Sequence, residues 1–125
     1  MGKAVGIGGV FFRAKDPKGL QAWYVQHLGI PLSEYGHSSF EGPEAQGTTV
    51  FSFFPEDTKY FGEGKQQAMF NLRVDVLDEV LERLKAAGVA VDPIQDEGYG
   101  RFSWFRDPEG NRVELWEPAA EDPAP

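Results

Sequence analysis

The sequence predicts an α+β domain with its helices on one side of its strands, built as two β-α-β-β-β modules in tandem. Three observations carry this reading. Each half of the chain runs strand, helix and then about three strands. Sixty positions on from Phe12-Arg13-Ala14 stands Leu72-Arg73-Val74, and the same shift brings Leu20 onto Val80. Sixty-three positions on from Gly47-Thr48-Thr49-Val50-Phe51-Ser52-Phe53-Phe54-Pro55 stand Gly110 to Pro118, glycine on glycine and proline on proline. Helices gathered over one face of the strands give the α+β arrangement. The chain reads as a single domain over residues 1–125, with module one over about 5–62 and module two over about 66–118. Residues 119–125 form an acidic, proline-rich tail.

Taken in order, Val10 to Ala14 reads as a strand, ended by Asp16-Pro17. From Pro17 the period becomes helical, with Leu20, Trp23, Tyr24 and Leu28 on one face and Gly29 as the C-terminal cap. Residues 32–47 are rich in Ser, Gly, Glu and Pro, with a strand start placed at Leu32-Ser33-Glu34-Tyr35. Thr48 to Phe54 is a clearer strand, closed by Pro55, and Glu56 to Lys65 reads as the connection between halves. Met69 to Val74 is the next strand. Asp75 leads into a helix with Leu77, Val80, Leu81 and Leu84 on its apolar face, capped by Gly88. A strand is expected to start at Val89-Ala90-Val91, followed by a loop over Asp92 to Gly100 and a strand over Arg101 to Phe105. Asp107-Pro108-Glu109-Gly110-Asn111 then reverses the chain, because Pro108 fixes φ and Gly110 or Asn111 accepts positive φ. Arg112 to Trp116 alternates as the closing strand, stopped by Pro118.

Composition narrows the classes of function. The 125 residues include no cysteine, which removes disulfides and thiolate metal sites and fits a reducing cytoplasm. No apolar run reaches membrane-spanning length, and Met1-Gly2-Lys3-Ala4-Val5 lacks the apolar core of a signal peptide. No membrane association is expected. A net charge of −8 argues against nucleic acid as a partner, because phosphate contacts need clustered Lys and Arg. Ten Phe in a chain this short either fill the core or line a pocket.

Strand alternation places candidate residues by face. Val10, Phe12 and Ala14, with Phe70, Leu72 and Val74, suit the helix side, leaving Gly9, Phe11, Arg13, Met69, Asn71 and Arg73 opposite. In the closing strands, Val50 and Val113 are placed on the helix side, and Phe51, Phe53, Glu114 and Trp116 on the other. A sheet face mixing aromatics, two arginines and one carboxylate is a candidate pocket lining.

The strand-helix repeat, Trp23-Tyr24 before Leu28-Gly29, and the closing Asp107-Pro108-Glu109-Gly110-Asn111-Arg112-Val113-Glu114-Leu115 together resemble the vicinal oxygen chelate superfamily. This is the fold of glyoxalases, bleomycin resistance proteins and extradiol dioxygenases. The resemblance covers nearly the whole chain. It implies sheets curled around a cup with helices outside, and a homodimer that often completes the cup. It also implies diverse functions, from metal-dependent isomerases, epimerases and dioxygenases to metal-free proteins that sequester drugs, and fold does not choose among them.

In the metal-dependent members the ligands come from the first and last strands of each module, which here carry Gly9, Phe51, Met69 and Glu114. Only Glu114 suits a hard or borderline divalent cation. His27 reads as a cation at a helix C-terminus, and His37 falls in the Gly/Ser stretch. The expectation is a cup with no metal and no cofactor that binds a small aromatic or apolar organic molecule. Phe11, Arg13, Phe51, Phe53, Met69, Asn71, Arg73 and Trp116 are the expected ligand contacts, and Glu114 is the candidate for any catalytic role. Other readings stay open. One is a lyase or dioxygenase of the superfamily, either metal-dependent with atypical ligands or metal-free with Glu114 as base. Another makes Glu114 a structural partner of Arg13 or Arg73, in a scaffold whose cup is only packed core.

Overall fold

The computed structural model describes residues 2–32, 37–40, 47–62 and 66–119. The chain divides into two compact units, one of residues 7–70 and one of residues 1–6 with 71–125. Two strands, β1 (Ala4–Ala14) and β4 (Ala68–Val74), contribute to both.

In the unit of residues 7–70, β3 (Thr49–Pro55) runs parallel to β1, with Phe11 beside Ser52 and Arg13 beside Phe54, and pairs antiparallel with β2 (Ser38–Phe40). Helix α1 (Pro17–Leu28) starts where Pro17 fixes φ and the Asp16 carboxylate accepts from the Gly19 amide at 3.1 Å. It stops at Gly29, whose φ of 65° is the left-handed conformation and whose N–H donates to the Val25 carbonyl. Tyr24 seats the helix on the strands, its ring 5.4 Å from those of both Phe51 and Phe53. The expected apolar face is only partly used: Leu20, Trp23 and Leu28 stay 37%, 50% and 64% exposed. The short β2 falls in the Ser-, Gly-, Glu- and Pro-rich stretch of 32–47, beyond the strand start expected at Leu32. Leu32 makes a single bridge to Ser38, and the rest of the strand start expected at 32–35 lies outside the described residues.

Phe51 and Phe53 therefore face the helix, which corrects the expected phase of this strand. Val50, Ser52 and Phe54 take the opposite face by alternation. The reason is a one-residue slip in the repeat, which in a strand exchanges the two faces. Phe11 and Asn71 are equivalent, and they lie beside Ser52 and Glu114 respectively. Ser52, not Phe51, is thus the counterpart of Glu114. The sequence match was anchored on Gly47 and Pro55, which punctuate strand ends but do not report which residues face a helix.

The non-helical face of this unit is filled by its own chain. Phe11, 7% exposed, meets Phe54 at 5.5 Å between ring centroids, and Phe54 meets both Tyr60 and the fully buried Phe61. Arg13 holds that segment in place. Its Nε donates to the Gln66 carbonyl at 2.9 Å, its Nη1 donates to the carbonyls of Glu56 and Thr58 at 2.9 and 2.8 Å, and its guanidinium lies over the Phe61 ring.

In the unit of residues 1–6 and 71–125, the strand order is β4, β7 (Arg112–Pro118), β6 (Gly100–Arg106), β5 (Gln95–Asp96). Helix α2 (Leu77–Ala86) buries Leu77 and Leu81 against Val74 and Leu115, with Leu72, Val80, Leu84, Val91, Ile94 and Phe105 around them. Full burial of a leucine contributes about 1.5–3 kcal/mol. The N-terminal residues join this unit through Lys3, whose backbone N–H donates to the Asp75 carboxylate and whose carbonyl accepts from the Asp75 amide. The Gly2 carbonyl accepts from Arg83.

The strand expected at Val89 to Val91 is reduced to one bridge between Val91 and Phe105. The Val89 amide is spent closing α2 on the Leu84 carbonyl, across Gly88 at φ 85°, so it cannot join a ladder.

Candidate functional site

The non-helical face of the second unit is built by three neighbouring strands. β7 runs parallel to β4, which puts Asn71 beside Glu114 and Arg73 beside Trp116. β6 runs antiparallel on its other side, which puts Trp104 opposite Glu114 and Phe102 opposite Trp116. The turn between β6 and β7 fixes this register. Asp107 accepts from the backbone amides of Glu109 and Asn111 at 2.9 Å each, and Gly110 adopts φ 88°. These bonds, the Asn111 side chain first among them, hold the Asp107 carboxyl below its ordinary pKa.

Glu114 lies at the centre of this face and is 2% exposed. Its Oε1 accepts from Asn71 Nδ2 at 2.6 Å and its Oε2 from Trp104 Nε1 at 3.0 Å. A buried carboxylate costs several kcal/mol unless such bonds are made. Around it runs a row of aromatic rings. Phe102 lies parallel to Trp116 at 6.1 Å and within 19° of parallel to Trp104 at 6.5 Å. Tyr99 meets Phe102 edge-on at 5.8 Å and is 67% exposed. Arg112 lies over the Trp104 ring and pairs with Asp92 at 3.2 Å. Gly100 lets the Trp116 indole approach the backbone, since a Cβ at Gly100 would collide with Trp116 Nε1. Two buried polar atoms here have no hydrogen-bond partner, Asn71 Oδ1 and Trp116 Nε1.

Of the residues expected to line a site, Asn71, Arg73, Glu114 and Trp116 fall on this one face. The Arg73 guanidinium passes close over Gly6. The others belong to the unit of residues 7–70. Phe51 and Phe53 pack under α1, Phe11 is part of the ring cluster around Phe54, and Met69 is fully buried. Arg13 braces a loop through three carbonyls. Phe102 and Trp104 were missed. Closing Asp107–Asn111 as a tight hairpin, with Arg106 opposite Arg112, would have put Trp104 across from Glu114.

Of the four positions that correspond to the superfamily's metal ligands, Glu114 offers a carboxylate and Met69 a thioether, a poor ligand for a hard or borderline cation. At Gly9 even a Cβ would lie 2.8 Å from the Phe11 ring. Ser52, the corrected counterpart of Glu114, is a weak ligand. Among the described residues no cluster of three or more His, Asp or Glu side chains is suitably placed to hold a metal ion. His27 is exposed, stacks on Trp23 at 4.6 Å and bonds the Trp23 carbonyl through Nδ1, a local helix contact. Among the described residues no helix is long and apolar enough to cross a membrane.

A family model for the Glyoxalase/Bleomycin resistance protein/Dioxygenase superfamily matches residues 6–115. A comparison with curated proteins returns no match. Among solved structures, methylmalonyl-CoA epimerase from Mycobacterium tuberculosis superposes with a TM-score of 0.68 at 21% identity, covering 93% of this chain and 89% of that one. The Streptomyces coelicolor methylmalonyl-CoA epimerase in complex with 2-nitronate-propionyl-CoA gives 0.72 at 15%, covering 94% and 100%. A structure described as NAD-dependent benzaldehyde dehydrogenase from Legionella pneumophila gives 0.60 at 14%, covering 88% and 97%. At these identities the likeness is one of fold.

Proposed function

The chain belongs to the glyoxalase/bleomycin resistance protein/dioxygenase superfamily, and from that premise we propose that it binds a small, planar aromatic molecule without a metal. The ligand lies on the non-helical face of the unit formed by residues 1–6 and 71–119. The observation that carries this reading is the environment of Glu114. Its carboxyl group is buried and accepts hydrogen bonds from Asn71 and Trp104, beside the rings of Trp104, Phe102 and Trp116. Such rings give stacking geometry and apolar area, which supply most of the affinity for a flat organic ligand.

A second reading makes Glu114 a proton-abstracting base acting on a CoA ester, the ligand class of the epimerase neighbour. Its position at the centre of the face favours this, whereas its 2% exposure, with donors on both oxygens, sets it behind binding. The two readings separate in one experiment. Chelator-treated protein is titrated with planar aromatics and with methylmalonyl-CoA, while deuterium uptake into the ester is followed by mass spectrometry. Saturable aromatic binding with no exchange is expected. Exchange that is lost in Glu114→Gln would replace binding by catalysis.

The exposed Leu20, Trp23 and Leu28 of α1 support a homodimer. Light scattering at micromolar concentration should give twice the chain mass, and a monomer at every concentration would reject this assembly.

A further inference from the structure

We propose that Asn71 makes this face selective for ligands that donate a hydrogen bond, and that Glu114 is the positioning residue that turns Asn71 to do so. The inference rests on the binding reading above and narrows its ligand class to planar aromatics bearing a hydroxyl or N–H group. Both Glu114 oxygens accept hydrogen bonds in this structure, so the carboxyl group faces the amide nitrogen of Asn71, not its oxygen. The structure has this arrangement, with Asn71 Nδ2 on Glu114 Oε1 at 2.6 Å. Because the amide is planar, fixing the nitrogen sends Oδ1 away from the carboxylate. Oδ1 is buried in a residue that is 2% exposed, and it has no partner.

A buried acceptor left unpaired is costly and rare, which marks it for a partner that arrives with the ligand. Trp104 holds the other oxygen of Glu114, so the carboxylate cannot turn to relieve Asn71 without losing that bond. Oδ1 is covered in the ligand-free protein, so a donor reaches it after a neighbouring side chain swings aside. A ligand with only acceptor groups would meet Oδ1 with no hydrogen to share and would leave the cost in place.

The test compares 2-naphthol with 2-methoxynaphthalene, which share a ring system and an oxygen but differ in the O–H. Affinities are measured on the intact protein by tryptophan fluorescence and calorimetry. The wild type should bind 2-naphthol about tenfold more tightly, the value of one hydrogen bond. The ratio should fall towards one in Asn71→Leu. In Glu114→Gln it should also fall, because a neutral amide partner accepts either orientation of Asn71. Equal wild-type affinities, as expected if a trapped water satisfies Oδ1, overturn the inference without any variant having to fold. A ratio unchanged in both variants also overturns it. If neither probe binds, the aromatic-ligand reading fails and this inference falls with it.

Discussion

Glu114 is the residue on which the account turns, and its hydrogen bonds make it testable by stability as well as by binding. Trp104→Phe keeps a smaller aromatic ring and removes the N–H that Glu114 Oε2 accepts, and loss of that bond should cost about 1–3 kcal/mol in denaturant melts, to which the lost ring volume adds. Combined with Glu114→Leu, which removes the acceptor, the losses should fall short of additive by about 1 kcal/mol or more, because the two side chains share one interaction. Additive losses would detach Trp104 from Glu114. Gly100→Ala should also destabilise, by about 1–3 kcal/mol, because the new Cβ collides with the Trp116 indole. At this scale the sequence was informative where alternation alone decides a face, as for Asn71, Arg73, Glu114 and Trp116. It failed for Phe51 and Phe53, because an aromatic strand is apolar on both faces and offers no polarity to read. It named Arg13 as a ligand contact and did not show its partners, which are backbone carbonyls of a loop.

Among the elements, α2 owes its start to a residue far along the chain. The Leu77 amide has no side-chain cap of its own and donates instead to Glu117 Oε1 at 2.7 Å, from β7. Arg101 bridges Glu117 and Asp78 across the same corner. Glu117→Ala should therefore cost about 0.5–2 kcal/mol, as for loss of an N-cap, while Glu117→Gln keeps an acceptor and should retain most of it. Equal losses would show that the charge, not the cap, matters. The β6–β7 turn predicts a pH response. The Asp107 pKa is lowered in the folded chain, chiefly by the Asn111 side chain. Its contribution is then complete above the unfolded value of about 3.9 and is lost as pH falls through the lower folded value. Carbon NMR titration should find Asp107 below its ordinary range, moving back up in Asn111→Ala. The helices and this turn were legible because caps, glycines and prolines are local signals. The short β2 and the lost strand at Val89 were not, since pairing depends on partners distant in sequence.

For the whole molecule, the repeat in the sequence gives two units of related design but different content. In one, the non-helical face is closed by Phe54, Phe61 and the loop that Arg13 braces. In the other it carries Glu114 and the aromatic row. That asymmetry is why a single candidate site emerges from a duplicated plan. It was hidden in the sequence because Phe61 and the segment that Arg13 holds lie in a connection, where strand alternation places nothing. The central claim, aromatic binding without a metal, is tested most directly by titrating chelator-dialysed protein with 2-naphthol, before and after adding back zinc, nickel, cobalt or manganese. Saturable one-to-one binding is expected in both states, with quenching of tryptophan fluorescence and a clear loss of affinity in Phe102→Ala. Binding that appears only when a metal is restored would contradict it.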